Sequence, residues 1–168
     1  RTGLLKMPAA LNNYTDIRGF VSYKDKATVT PPQFLPPEIE AVFLEGATCL
    51  AVGCFNAAGT MFRLCVDLAT KGMLPPDEDT PGLTWKVRRD LGLRLPWLFN
   101  AGHIPESLRD LSTCIKEDGN DGAHAGSLTV DDANDLLDFT SMLLERLYTE
   151  PKRLRQACQR RSERRSQK

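Results

Sequence analysis

The sequence predicts an all-α fold in which four to five helices form one bundle. Apolar residues recur every three or four positions after Pro37, across residues 54–71 and again after Thr129, which is the spacing that places side chains on one face of a helix. The hydrophobic fraction of 41% and the charged fraction of 26% are ordinary for a globular domain. A chain of 168 residues therefore fits one domain with a modest extension.

Residues 1–35 are predicted to form an N-terminal arm or linker, because they carry no sustained hydrophobic period. Two β-prone runs in this arm, Gly19–Tyr23 and Ala27–Thr30, flank a polar turn and can form a short hairpin. Proline pairs that begin at Pro31 and Pro36 then break the chain before the first helix.

The first two predicted helices differ in how much of their circumference is apolar. The first follows Pro37, a residue type that suits the first turn of a helix, and we expect Gly53 to end it. The second, over residues 54–71, is apolar on most sides, which favours a place in the middle of a bundle. Its one polar stripe consists of Asn56, Thr60, Arg63, Asp67 and Thr70. Gly59 inside this helix costs about 1 kcal/mol relative to Ala unless a neighbouring backbone packs closely there.

The middle of the chain predicts shorter elements. Residues 83–101 are mixed in character and predict one or two short helices, and residues 105–117 predict a further helix with leucines and an isoleucine on one face. Large aromatic side chains usually lie in a core or an interface, so we expect Trp85 and Trp97 in one of those places.

The last predicted helix has the clearest boundaries. Thr129 is its expected N-cap, and acidic residues occupy its first turn. Its buried stripe should consist of Ala133, Leu136, Leu137, Thr140, Leu143, Leu144 and Leu147. We expect the Glu150-Pro151 step to kink or end the helix, because proline cannot donate a backbone hydrogen bond.

A strongly basic tail follows an acidic body, although the formal net charge of the chain is zero. Residues 151–168 hold eight basic residues and one acid, a net charge of +7, and the rest of the chain sums to −7. The candidate nucleic-acid-binding residues are Arg153, Arg155, Arg160, Arg161, Arg164 and Arg165. Such a tail can bind phosphates, dock on an acidic partner or remain a solvated extension. We therefore divide the chain into an arm (1–35), a helical domain (36–150) and a basic tail (151–168).

The five cysteines are odd in number and include no C-x-x-C pair, which is unlike a disulfide framework or a zinc site. We interpret them as small buried hydrophobic residues in a reducing cytoplasm, and we expect neither a metal ion nor a cofactor. The sequence shows no secretory signal and no apolar run near the roughly 18 residues that span a membrane. Because the first residue is Arg1 rather than Met, we expect the chain to be a fragment or a processed product.

A glycine-rich bend at residues 117–124 holds His124, one of only two histidines in the chain. Histidine changes charge near neutral pH, so His124 is a candidate acid or base. Asn120 lies in the same bend, and both residues can equally cap helix ends and fix the turn. Arg63 of the polar stripe is the third candidate: it can pair with Asp67, neutralise the acidic start of the bend, face a ligand-binding cleft, or simply be exposed to solvent.

From about Phe34 to Pro151 the chain resembles the bacterial family called domain of unknown function 4145, a HEPN-like helical group. The matching segments are Phe34-Leu35-Pro36, Asn56-Ala57-Ala58 with Arg63, Leu91-Gly92-Leu93, Ile104-Pro105, Asp118–His124 with Leu128-Thr129, and Tyr148–Pro151. The resemblance implies an all-α bundle of four or five helices that pairs into a homodimer. Some HEPN-like proteins are metal-independent ribonucleases, in which the His and Arg of an Arg-Asn-x-x-x-His motif from two subunits meet in a cleft.

That ribonuclease motif is incomplete in this chain. Asn120 and His124 match its Asn and His, but Gly119 occupies the Arg position, and a cation that stabilises the transition state contributes several kcal/mol. The leading hypothesis is therefore a non-enzymatic helical module that self-associates and binds a protein or nucleic-acid partner, in the bacterial defence or restriction setting of its relatives. The alternative is a ribonuclease in which Arg63 or Arg109 substitutes for the missing Arg.

Overall fold

The computed structural model describes residues 29–76, 80–115 and 128–166. Its α-helices are α1 (Pro37–Ala51), α2 (Phe55–Gly72), α3 (Trp85–Arg89), α4 (Leu91–Asn100), α5 (Val130–Leu144) and α6 (Glu150–Ser166). No described residue lies in a strand, so the all-α prediction is confirmed. The predicted hairpin and most of the N-terminal arm lie outside the described residues.

Helix α2 occupies the centre of the bundle, as its broad apolar surface predicts. It packs against α1 on one side and α5 on another, and it also contacts α4. Its side chains Phe62, Cys65 and Val66 are completely buried. The ring of Phe62 lies 5.8 Å from that of Phe43 in α1, measured between centroids, with the two planes tilted by 59°. Burying aromatic side chains of this size is the main contribution to the stability of such a core.

Helix α1 ends in a Schellman motif that depends on Gly53. This glycine has a φ of 80°, which a residue without a Cβ adopts at little cost. Its N–H donates to the carbonyl of Leu50 at 3.0 Å, and the N–H of Cys54 donates to that of Cys49 at 2.9 Å. These are the two hydrogen bonds that define the motif, so the prediction that Gly53 ends the helix is confirmed.

Two interior glycines permit close packing between helices. A Cβ added at Gly46 of α1 would lie 2.8 Å from Cε1 of Phe62, and one added at Gly59 of α2 would lie 2.5 Å from Cδ1 of Leu128. The close neighbour expected at Gly59 is therefore a leucine side chain rather than a backbone. Leu136 of α5 also approaches that position, at 3.0 Å.

Helices α3 and α4 are the two short helices predicted within residues 83–101. The Thr84 hydroxyl accepts a hydrogen bond from the N–H of Val87 at 3.4 Å and caps α3. The Asp90 carboxylate accepts from the N–H of Gly92 at 2.8 Å and caps α4. Asp90 therefore ends one helix and begins the next, which changes the chain direction within a single residue.

The helix predicted over residues 105–117 is α-helical only at Cys114 and Ile115 among its described residues. Residues 106–108 and 111–113 form 3₁₀ turns instead. The Ser112 and Thr113 hydroxyls donate to the carbonyls of Arg109 and Asp110, at 2.6 and 2.7 Å. Hydroxyls that bind backbone carbonyls in this way compete with regular helix formation. The predicted apolar face is nevertheless present, because Leu108 and Ile115 are buried.

Helix α5 begins at the predicted cap and then continues beyond the predicted stop. Thr129 and Asp132 form a reciprocal capping box, in which each side chain accepts a hydrogen bond from the backbone N–H of the other. Every residue of the predicted stripe from 133 to 144 is buried. The chain then passes through a π-helical turn, Glu145–Thr149, into α6. Pro151 does not end the helix. The π-helical turn, which is wider than an α-helical turn, comes directly before the position at which proline lacks a backbone N–H donor.

Helix α6 extends from the bundle instead of covering it. None of its seventeen residues, all of them described, is buried. Its base is fixed near the start of α1: the Thr149 hydroxyl donates to the carbonyl of Gln33 at 2.8 Å, and Arg153 donates to the Gln33 side chain at 3.2 Å. The basic tail of the sequence is therefore an exposed helix.

Candidate functional site

The polar stripe of α2 contacts the described residues on either side of the segment 116–127. Arg63 donates from Nη1 to the carbonyl of Ile115, the last described residue before the segment. The Asn56 side-chain oxygen accepts from the N–H of Leu128 at 2.7 Å, the first residue after it. Asn56 and Arg63 are seven positions apart and therefore lie on one helix face. The stripe thus holds the two described residues that flank this segment, Ile115 and Leu128.

The candidates Asn120 and His124 lie outside the described residues, as does the acidic start of their bend. Whether Arg63 neutralises that bend therefore stays a prediction. The carboxylate of Asp67, the partner that helical spacing offered Arg63, forms ion pairs with Lys71 at 2.6 Å and with Arg94. Arg63 instead places its guanidinium at the Ile115 carbonyl and at the edge of a surface groove.

Sequence analysis missed Arg94, the only charged side chain that is completely buried among the described residues. Its Nε donates to the Thr70 hydroxyl at 3.0 Å, and its Nη1 donates to the carbonyl of Arg88 at 2.7 Å. Its Nη2 donates to the backbone and the carboxylate of Asp67. The sequence carried one signal of this, because Arg94 falls within an apolar face at the spacing Leu91, Arg94, Leu95 and Leu98.

Asp67 remains ionised at neutral pH despite its partial burial. Burial by itself raises the pKa of the carboxyl, but hydrogen bonds and charges from Lys71 and Arg94 outweigh that effect and lower the pKa below its usual value. The polar stripe therefore ends in a satisfied ion-pair cluster, so α2 and α4 are joined by charged hydrogen bonds as well as by apolar contact.

A groove of about 690 Å³ lies between α2 and the α3–α4 segment, and we call it the α2–α3 groove. Its lining residues are Thr60, Arg63, Leu64, Asp67, Trp85, Lys86, Arg89, Asp90, Leu91 and Leu93. Trp85 is 68% exposed, and the guanidinium carbon of Arg89 lies 5.3 Å from the centre of its ring. The groove therefore combines an accessible aromatic surface with nearby cations.

The two tryptophans occupy different environments. Trp97 is partly buried against the core, its indole N–H donates to the carbonyl of Pro81 at 3.3 Å, and its ring lies 5.5 Å from that of His103. Trp85 is not in the core of the described bundle, so that part of the prediction is wrong for it. Its place in an interface stays a prediction.

The six candidate arginines of the tail all lie on α6 and are all exposed. Arg153, Arg160 and Arg164 are seven and four positions apart and share one face, and Arg161 and Arg165 follow next to them. Arg155 and Arg164 donate to backbone carbonyls of α6, each at 3.2 Å. The face therefore presents one arginine near its start and four near its end, along a helix that is about 25 Å long at 1.5 Å per residue.

The cysteines follow the buried prediction only in part. Cys65 and Cys114 are buried, Cys49 is intermediate, and Cys54 and Cys158 are exposed. Burial raises the pKa of the Cys65 thiol to about 12, so this thiol is inert. The prediction of burial is wrong for Cys54 and Cys158. Cys54 lies in the turn after α1, and Cys158 lies on a helix that nothing in the described bundle covers.

Within 29–76, 80–115 and 128–166, no group of three or more His, Cys, Asp or Glu side chains is arranged to bind a metal ion. Over those same ranges, the helices are too short or too polar to cross a bilayer.

The described structure thus defines an all-α bundle with an ion-pair cluster around the buried Arg94, a lateral groove and a projecting basic helix. The family model for the domain of unknown function DUF4145 matches residues 45–164. Because this match covers more than half of the 168 residues, the chain belongs to the DUF4145 family. The match runs from within α1 almost to the end of α6, so the basic helix is part of the family domain. Comparisons with curated proteins and with solved structures gave no match.

Proposed function

We propose that this protein is a non-enzymatic helical interaction module that binds nucleic acid through α6. The single observation that supports the proposal is the exposure of seven basic residues on one projecting helix. Arg160, Arg161 and Arg165 form no ion pair with the described carboxylates. These three guanidinium groups therefore remain available for phosphates.

The shape and chemistry of α6 favour a phosphate backbone over an acidic protein surface. An α-helix fits the major groove of duplex DNA, and guanidinium groups bind phosphate oxygens in pairs of parallel hydrogen bonds. Leu154 is the one large apolar residue exposed on α6, at 66%, whereas a protein interface usually has an apolar centre. The expected affinity is therefore mainly electrostatic and only weakly dependent on base sequence.

The proposal includes self-association into a homodimer, which the resemblance to HEPN-like proteins suggests. Leu44 of α1 and Met142 of α5 are exposed apolar side chains, at 44% and 50%, that a second copy could cover. Light scattering on the full chain at micromolar concentration tests self-association, and a monomer mass would exclude the homodimer. The HEPN-like assignment, the cytoplasmic location and the bacterial defence or restriction setting belong to the same proposal.

Nucleic-acid binding is tested with a quadruple variant, R160Q/R161Q/R164Q/R165Q, of the full chain. Log K for a labelled duplex should fall with log salt concentration, with a slope of about −0.9 for each phosphate contact. Removing four contacts should make that slope shallower by about 3 to 4 and weaken binding at low salt. The control is K71Q/R146Q, which removes two ion-paired cations outside α6. Equal binding by the quadruple variant and the wild type would overturn the proposal.

The alternative function is a metal-independent ribonuclease in which His124 acts with Arg63 in place of the missing Arg. One observation favours it: Arg63 binds the carbonyl of Ile115, so its guanidinium lies at the start of the segment that carries Asn120 and His124. The test is cleavage of a labelled RNA by the wild type, H124A and R63Q in the presence of a chelator. Cleavage that both substitutions abolish, with the helical content retained, would establish the ribonuclease and exclude the non-enzymatic module.

A further inference from the structure

We propose that the α2–α3 groove binds a nucleotide whose base is unpaired, with the base stacked on Trp85 and the phosphate bound by Arg63, Lys86 and Arg89. Such a nucleotide is either a free mononucleotide or one unit of a single strand. For the single strand, the inference rests on the proposed function of α6. For the mononucleotide, binding in the groove does not depend on α6.

Hydrogen bonds from neighbouring residues hold helix α3 in place, and Trp85 on this helix stays exposed. Helix α3 is capped by Thr84, and the side chain of Arg88 donates to the carbonyl of Pro75 at 2.8 Å. The buried Arg94 donates to the carbonyl of Arg88 at 2.7 Å. These contacts fix α3 while the indole of Trp85 stays 68% exposed. A fixed, exposed indole beside a concave surface is suited to ring stacking.

The charge of the groove is positive where a phosphate would lie. Arg89 lies over one face of the Trp85 ring, so a base would stack on the other face. Lys86 belongs to the same short helix, and Arg63 lies on the α2 wall. The two carboxylates of the lining are already engaged. Asp67 is paired with cations of α2 and α4, and Asp90 caps α4. The three cations of the lining therefore outnumber its one carboxylate without a cationic partner among the described residues, that of Asp90.

The volume of the groove also matches this class of ligand. About 690 Å³ lies within the range of roughly 300–1,000 Å³ that small-molecule sites occupy. Leu64 and Leu93 also line the groove. Their side chains are 38% and 48% exposed and provide apolar contact for a sugar or a base edge. An acidic peptide could satisfy the same cations, but it offers no planar ring as a partner for the Trp85 face.

The experiment is a calorimetric titration of the full chain with five probes. They are AMP, adenosine, ribose 5-phosphate, a single-stranded oligoadenylate and a hexaglutamate peptide. The variants are W85A, which removes the stacking surface, and K86Q/R89Q, which removes two cations. The controls are V130A, which truncates an exposed apolar residue of α5, and R146Q, which removes an exposed cation outside the groove. Circular dichroism checks that each variant is folded.

We expect W85A to bind AMP or the oligoadenylate at least fivefold more weakly than the wild type, the lower limit for a base stacked on an aromatic ring. K86Q/R89Q should weaken both ligands, and the controls should bind as the wild type does. Adenosine and ribose 5-phosphate should each bind more weakly than AMP, since each lacks one recognised group. Binding of AMP would identify a free nucleotide as the source, and binding of the oligoadenylate alone would identify a strand.

Three results would overturn the inference: no binding of either nucleotide probe, equal binding by W85A and the wild type, or hexaglutamate binding tighter than both nucleotide probes. The quadruple α6 variant separates this inference from the proposed function. If it loses the oligoadenylate and W85A does not, the groove proposal fails and α6 stands. If W85A alone loses it, the groove stands, and the duplex titration of the quadruple variant decides the proposal for α6 separately.

Discussion

The buried guanidinium of Arg94 and the partly exposed carboxylate of Asp67 form an ion pair between α4 and the central helix α2. The Arg94 side chain has no exposed surface, and that of Asp67 is 21% exposed. Arg94 also binds the Thr70 hydroxyl and a carbonyl of α3, so one side chain joins three helices. Because α3 carries Trp85, this ion pair also positions one wall of the α2–α3 groove.

Replacing Arg94 with alanine should strongly destabilise the fold. The substitution removes a completely buried side chain and its hydrogen bonds to Thr70 and to the carbonyl of Arg88, while Asp67 keeps its ion pair with Lys71. Truncating a large buried side chain typically costs about 2–5 kcal/mol. Urea unfolding at neutral pH measures the change. The matched control, Arg146→Ala, breaks an exposed ion pair with Glu150 and should cost no more than about 1 kcal/mol. Similar losses in the two variants would show that Arg94 contributes no more than a surface residue.

The stability of the protein should fall in acid partly through Asp67. Its folded-state pKa is lower than its usual value because Lys71 and Arg94 outweigh the effect of burial. The unfolded chain therefore binds a proton at a higher pH than the folded chain does. The stabilisation is complete above the unfolded-state pKa and is lost as the pH falls through the folded-state pKa. The free energy of unfolding of the wild type should thus decrease below about pH 5.

The control for this pH dependence is a neutral substitution at the same position. Asp67→Asn should be less stable than the wild type at neutral pH, and the difference should shrink as the pH falls. Asp138→Asn, at an exposed position of α5, should follow the wild-type profile. A constant difference between Asp67→Asn and the wild type from pH 7 to about pH 3 would mean that Asp67 does not contribute through its charge.

The helical bundle could be predicted because its signals are local. The period of α1, α2 and α5, the glycine after α1 and the Thr129 cap each act within a few residues, so the sequence alone shows them. The prediction was wrong where side chains compete with the backbone. Ser112 and Thr113 bind nearby carbonyls within a segment whose apolar spacing favours a helix.

The groove and its ion-pair cluster could not be predicted, because they depend on contacts between distant residues. Arg94 and Thr70 are 24 positions apart, and nothing in the local pattern of either one indicates the other. The stripe on α2 did predict that polar partners exist. It did not show that Arg94 is one of them, or that Trp85 is left exposed when α3 is held against its neighbours.

Gly46 should resist substitution more strongly than Gly72. A Cβ at Gly46 would lie 2.8 Å from the completely buried ring of Phe62, whereas a Cβ at Gly72 meets nothing within 4 Å. Gly46→Ala should therefore destabilise the protein by about 1–3 kcal/mol through overpacking. Gly72→Ala should stabilise it by up to about 1 kcal/mol through helix propensity. Thermal unfolding of the two variants measures both changes, and the packing explanation fails if both shift the midpoint upward.

The capping box should set the stability of the start of α5. Thr129→Ala removes the hydroxyl that accepts a hydrogen bond from the N–H of Asp132 at 3.2 Å, and loss of such a cap typically costs about 1 kcal/mol. Thr129→Ser keeps the hydroxyl and should retain most of the stability. Chemical denaturation of the three proteins gives the free energies. The N–H of Leu128, next to the cap, donates a hydrogen bond to the Asn56 side chain of α2. Hydrogen exchange at the Leu128 amide should therefore also become faster in Thr129→Ala. An unchanged exchange rate, together with equal stability of the alanine and serine variants, would show that the cap has no role in attaching α5 to α2.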